Sequence, residues 1–139
     1  MSVPAGMVRS SGAPEDGPVE VPEIPRAAYL AAVAADEKLG QETVLLAMGE
    51  LFGVVDAFVV TSGSNVRQVR SLVEEIERRV KEDGGPSPAS VEGLRDGSWV
   101  LMDYGDFVVH VFLDETRHFY DLEHLWSGAP RVRWQSDAD

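Results

Sequence analysis

Val66, Val69, Leu72, Val73, Ile76 and Val80 recur at steps of three and four residues, the spacing that lines one face of an α-helix. Asn65 and Gln68 form a capping-box pair at its start, and Gly84-Gly85-Pro86 ends it. The opposite face sets Arg67, Arg70, Arg78, Arg79 and Lys81 against Glu74, Glu75, Glu77, Glu82 and Asp83. Those charges balance and read as a solvated helix surface. A second helical spacing, Leu30, Val33, Ala34 and Glu37, predicts a helix over 26–40 that stops at Gly40. Shorter apolar runs predict strands. "TVLLAM" (43–48) is one, and "VVDAFVVTSG" (54–63), rich in β-branched and aromatic residues, is a second and buried one.

A loop carrying Pro86, Pro88 and "VEG" (91–93) follows the long helix. "WVLMDY" (99–104) and "FVVHVF" (107–112) then predict two strands joined by Gly105-Asp106, a two-residue, glycine-first hairpin turn. "HFYDLEHLW" (118–126) predicts a short helix with Phe119, Leu122 and Trp126 on one face, and "RVRW" (131–134) a last strand. This order predicts an α/β (α+β) domain, a mixed β-sheet flanked by helices. The tight turn also sets register. Tyr104 pairs with Phe107, Asp103 with Val108, Leu101 with His110 and Trp99 with Phe112. One face of the hairpin is then almost wholly apolar and belongs under helices. The other carries Trp99, Asp103 and His110, with Asp103 and His110 as diagonal neighbours within reach.

Composition narrows the class. The chain has 139 residues, 44% of them hydrophobic, enough for one domain with a core. Residues 1–25 hold five of the eight prolines and no Tyr, Phe or Trp, which predicts a disordered tail. Residues 26–134 form the domain, and 135–139 a short second tail. No cysteine is present, which excludes disulfides, thiolate zinc sites and a cysteine nucleophile. The formal net charge is −12. That disfavours broad binding to nucleic acid or an anionic membrane, and suits a basic protein partner. Neither a signal-peptide core nor an apolar run near the ~20 residues of a membrane span is evident, so a cytoplasmic location is expected.

Candidate chemistry concentrates between Trp99 and Trp126, where six acids (Asp103, Asp106, Asp114, Glu115, Asp121, Glu123) meet one Arg and no Lys. An Asp103–His110 pair would orient a general base, but no nucleophile is placed beside it. Asp103 and Asp106 straddle a turn and point apart. His118, Asp121 and His124 stand three apart on a helix and fan over about 120° rather than converge. Gly63-Ser64 enters a helix as a phosphate-holding turn would. The paired-acid strand that would hold magnesium in a nucleotidyltransferase is missing, because the next segment is an amphipathic helix. No metal or other cofactor is expected. Acids mixed with Trp and Tyr instead suit a protein interface, with aromatic anchors and steering charge.

"VVDAFVVTSGSNVRQV" (54–69), "VEG" (91–93), "WVLMDYGDFVVHVF" (99–112) and "FYDLEHLW" (119–126) together resemble the ribosomal silencing factor family, also called RsfS or Iojap, over about residues 26–134. The resemblance implies a nucleotidyltransferase-like topology without its catalytic acids, and a protein that is not an enzyme. It implies binding to the large ribosomal subunit at its fourteenth protein, blocking of small-subunit joining, lower translation under nutrient limitation, and a part in large-subunit maturation. The expected contact residues are Trp99, Asp103, Tyr104, Asp106, Asp121 and Glu123. An exposed apolar sheet edge would offer a homodimer contact off the ribosome. The competing reading is a metal-dependent nucleotidyl- or phosphoryl-transfer enzyme using Asp103, Asp106 and His110.

Overall fold

A computed structural model of the chain describes residues 23–49 and 55–135. Most of the tail expected at 1–25, and residues 136–139, lie outside the described residues. Helix α1 spans Arg26–Glu37, strand β1 Gln41–Ala47, strand β2 Ala57–Gly63 and helix α2 Val66–Glu82. Strands β3 (Ser90–Glu92), β4 (Trp99–Asp103) and β5 (Phe107–Leu113) follow, then helices α3 (Asp114–Phe119) and α4 (Leu122–Leu125). The five strands make one mixed sheet in the order β1-β2-β5-β4-β3. β2 and β5 run parallel at its centre, and the other neighbours are antiparallel.

One sheet face is roofed by α1 and α2. Val69, Leu72, Val73, Ile76 and Val80 of α2 are all buried, as the three-and-four spacing requires, and each is worth about 1.5–3 kcal/mol on burial. They meet Val59, Val100, Met102, Phe107, Val109 and Val111 from the sheet. The Asn65 side chain accepts the Gln68 backbone N–H at 2.8 Å and caps the helix. In α1 the buried face is Ala28, Ala31, Ala32, Ala34 and Ala35, not the larger Leu30 and Val33, which are half-buried. Small side chains let α1 lie close to the sheet and to α2.

The helix α1 stops earlier than expected. Leu39 adopts the left-handed conformation (φ 68°), and Gly40 N donates to Ala35 O at 2.8 Å.

The opposite sheet face holds a smaller core of Leu46, Met48, Val60, Phe112, Leu122 and Ala129, with Val44, Val55, Phe58 and Trp126 against it. It is covered by the C-terminal segment. That segment departs from the expected single helix at 118–126. α3 starts directly after β5, with Asp114 and Glu115 in its first turn, where acids favour the helix dipole. The chain then breaks at Asp121, left-handed at φ 52° and ψ 52°. The break buries Leu122 but turns Phe119 outward, 80% exposed.

"RVRW" is not a strand. Arg131 makes one bridge with Leu46, and Val132 N donates to Leu45 O at 2.8 Å. Conversely, "SVE" within the expected loop is a short edge strand, paired with Asp103, Met102 and Leu101 of β4. That edge is not apolar, since Ser90 and Glu92 are exposed. Among the described residues no helix is long and apolar enough to cross a membrane.

Candidate functional site

The β4–β5 hairpin forms in the expected register, with Trp99 opposite Phe112, Leu101 opposite His110 and Asp103 opposite Val108. Gly105 supplies the positive φ (94°) that the turn requires. Tyr104 N donates to Phe107 O at 3.0 Å and closes it. Asp103 Oδ1 accepts the Gly105 N–H at 2.8 Å, so this carboxylate organises the turn. Asp106 is exposed, and its carbonyl accepts the Asp56 N–H at 2.8 Å, which ties the turn to the entry of β2. The result is an acidic tip, rigid by its hydrogen bonds, at one end of β4.

At the other end stands Trp99, 38% exposed. Its Nε1–H donates to His110 Nδ1 at 3.2 Å, and its ring lies 4.8 Å from Phe112. His110 is 5% exposed and sits among the rings of Phe58 at 4.5 Å, Trp126 at 5.3 Å and Trp99 at 6.1 Å. Burial lowers its pKa to about 4. The imidazole is therefore neutral, and accepting at Nδ1 places its proton on Nε2, which has no hydrogen-bond partner. The expected Asp103–His110 pair does not form, because each group is committed elsewhere. His110 is a buttress that fixes the indole of Trp99, not a base.

Trp99 and Asp103 lie on one sheet face about 13 Å apart along β4, within the reach of one protein interface. The other expected contact residues divide. Tyr104 is 8% exposed, and its ring stacks on Phe107 at 4.6 Å in the core under the helices. Burial, and secondarily the charge of Glu77, push its hydroxyl up to about 12. Tyr104 is thus removed from the surface, because its strand position points it at the helices. Asp121 is exposed. Glu123 is engaged by Arg117, whose Nε donates to its Oε2 at 2.6 Å and whose Nη2 lies 2.5 Å from the same oxygen in an ion pair.

The alternative chemistry has no geometry behind it. Asp103, Asp106 and His110 do not converge, and the described residues contain no group of three His, Cys, Asp or Glu placed to hold a metal. His118 lies 3.7 Å from Asp114 and 3.9 Å from Glu42, while His124 is exposed. At Gly63-Ser64 the groups that would receive a phosphate are already used. Ser64 N and Oγ both donate to Gln68 Oε1, at 2.8 and 3.0 Å.

Sequence spacing put Phe58 in a buried strand and Trp126 on one helix face, but did not reveal that they meet at His110, nor the role of Arg117. The first two build the wall around His110, and Arg117 anchors the segment that carries Trp126. A sequence signal for Arg117 existed: it is the only basic side chain among six acids between Trp99 and Trp126.

The family model described as "Ribosomal silencing factor during starvation" matches residues 21–139. The chain is 37% identical over 103 residues to the ribosomal silencing factor RsfS of Halalkalibacterium halodurans, covering 74% of this chain and 87% of the relative. It is 38% identical over 101 residues to RsfS of Bacillus subtilis, covering 73% and 85%. The crystal structure of a protein from Chromobacterium violaceum matches with a TM-score of 0.70 and 34% identity, over 84% of this chain and 95% of that one. These are likenesses to regulatory proteins rather than enzymes, and this chain belongs to the ribosomal silencing factor family.

Proposed function

We propose that this chain docks on the large ribosomal subunit through the face bearing Trp99 and the Asp103–Asp106 turn, and occludes the small subunit. Its contact there is a basic ribosomal protein, the fourteenth of the large subunit, and its place of action is the cytoplasm. The domain at 26–134 carries this role. The single observation that supports the reading most is Trp99, a large indole held half-exposed by His110 and Phe112 on the same sheet face as a fixed acidic tip. A pre-positioned aromatic anchor loses little entropy on binding, and Trp is enriched among residues that dominate interface energies. The net charge of −12 opposes contact with rRNA and favours a basic protein surface. Occlusion needs affinity and bulk only, which matches a fold whose candidate catalytic groups are scattered.

Subunit reassociation on sucrose gradients tests this. Excess purified protein should keep large and small subunits apart and cosediment with the large one. Unchanged joining at large excess would refute the reading.

A further inference from the structure

Arg117 is 2% exposed, an unusual position for a guanidinium, and it is fully engaged. Nε donates to Glu123 of α4 within an ion pair, Nη1 donates to Ser62 Oγ of β2 at 2.6 Å, and Nη2 donates to the Glu42 carbonyl of β1 at 2.9 Å. A longer contact reaches the Gln41 carbonyl at 3.4 Å. One side chain thus joins β1, β2 and α4. Two of the left-handed non-glycine residues frame it. Glu42 (φ 50°) lies where β1 shifts register and presents its carbonyl to the guanidinium. Asp121 (φ 52°) opens α4 and turns Glu123 toward it. Such conformations persist where surrounding contacts impose them.

α4 has four residues, too few to be stable alone, and its N-cap makes no side-chain hydrogen bond. Yet Trp126, the residue after it, walls the pocket of His110 and meets Phe58 at 5.7 Å and Phe112 at 6.1 Å. His110 in turn fixes Trp99.

We propose that Arg117 is a positioning residue for the docking face. Its ion pair with Glu123 latches α4 to the β1–β2 edge, seats Trp126 on the aromatic cluster, and thereby holds Trp99 in its half-exposed pose. This deepens the proposed function and rests on it for the docking step. The latch is local. The larger core under α1 and α2 shares no member with the Trp126 cluster, so α4 can release while the rest of the domain stays folded.

Lysine keeps the charge but has no planar fork, and cannot serve Glu123, Ser62 and the Glu42 carbonyl together. Arg117→Lys and the milder Glu123→Gln, compared with wild type, supply the test. Hydrogen exchange measured peptide by peptide should rise at least about 10-fold over 120–127 in Arg117→Lys, with α2 unchanged. Glu123→Gln should fall between the two. Dissociation from isolated large subunits should quicken in the same order.

Equal acceleration of exchange in α2 and α4 would make Arg117 an ordinary core residue and overturn the latch. Unchanged exchange over 120–127 would also overturn it. Local opening without faster dissociation would remove its role in docking. Failure of the wild-type protein to bind large subunits would instead refute the proposed function, while the exchange comparison still judges the latch.

Discussion

His110 sets an acid limit on this fold. Its ring is 5% exposed, and burial lowers its pKa from 6.5 to about 4. Between those two values the unfolded chain binds a proton that the folded chain refuses. The stability conferred by the neutral ring is therefore fully present above about pH 6.5 and is lost as pH falls toward 4. Linkage over this gap costs roughly 2 kcal/mol between pH 7 and pH 5, and about 3 kcal/mol once pH is below both values. Domains of this kind have about 5–15 kcal/mol in total, so the loss is a large fraction.

His110→Phe isolates the effect. Phenylalanine keeps a ring among Phe58, Phe112 and Trp126, and surrenders the acceptor for Trp99 Nε1. Because Trp99 is partly exposed, water replaces that acceptor at a cost of about 1 kcal/mol or less. Urea unfolding followed by circular dichroism at pH 7 and pH 5 is the assay. Carboxylates titrate alike in both proteins and cancel. Wild type should lose about 2 kcal/mol more than the variant on acidification. Parallel losses would show that His110 is not held neutral by burial, and the buttress for Trp99 would need another basis.

Leu39→Gly should raise stability by about 0.5–1 kcal/mol, read as a higher urea midpoint, because Leu39 is left-handed and 77% exposed, so strain is relieved with little packing lost. Asn65→Ala should cost about 1 kcal/mol through loss of the cap on Gln68 N, visible as a lower melting temperature at unchanged folded-state circular dichroism. Gly93→Ala should cost more, about 2 kcal/mol or above. Gly93 has a φ of 86°, and an added Cβ would lie 2.1 Å from the Trp99 carbonyl oxygen, so β3 would separate from β4 beside the proposed docking face. Urea unfolding checks the cost.

What the sequence disclosed follows from which interactions are local. The α2 helix is written in its own three-and-four spacing and its own cap. The hairpin register follows from two residues, Gly105 and Asp106, because a two-residue turn fixes every pair beyond it. That was enough to place Trp99 and Asp103 on one face and to send the partners of Met102 and Val100 under the helices. It also contained the fact that Tyr104 belongs to that buried face, though its aromatic-acidic neighbourhood in sequence suggested a contact residue. β3 was barely legible because three residues carry no period, and the strand exists only through its pairing with β4. The break at Asp121 was hidden because a left-handed aspartate costs little and leaves no compositional mark. Arg117 leaves the faintest trace in the sequence. Its burial depends on Ser62 and on the carbonyls of residues 41 and 42, more than fifty residues away in the chain. Asp103 and His110 were rightly placed as neighbours, but proximity did not decide their partners: a backbone N–H at the turn and an indole N–H stood nearer.

The proposed docking needs a fixed indole and an acidic tip against a basic protein of the large subunit. Affinity for isolated large subunits, measured for wild type and Trp99→Ala across a series of salt concentrations, tests it most directly. Wild-type binding should weaken as salt screens the acidic tip. Trp99→Ala should lose at least about 2 kcal/mol of affinity, roughly 30-fold, at every salt concentration, with the domain still folded by circular dichroism at the assay temperature. Equal affinities for the two proteins, or wild-type binding that salt does not weaken, would contradict it.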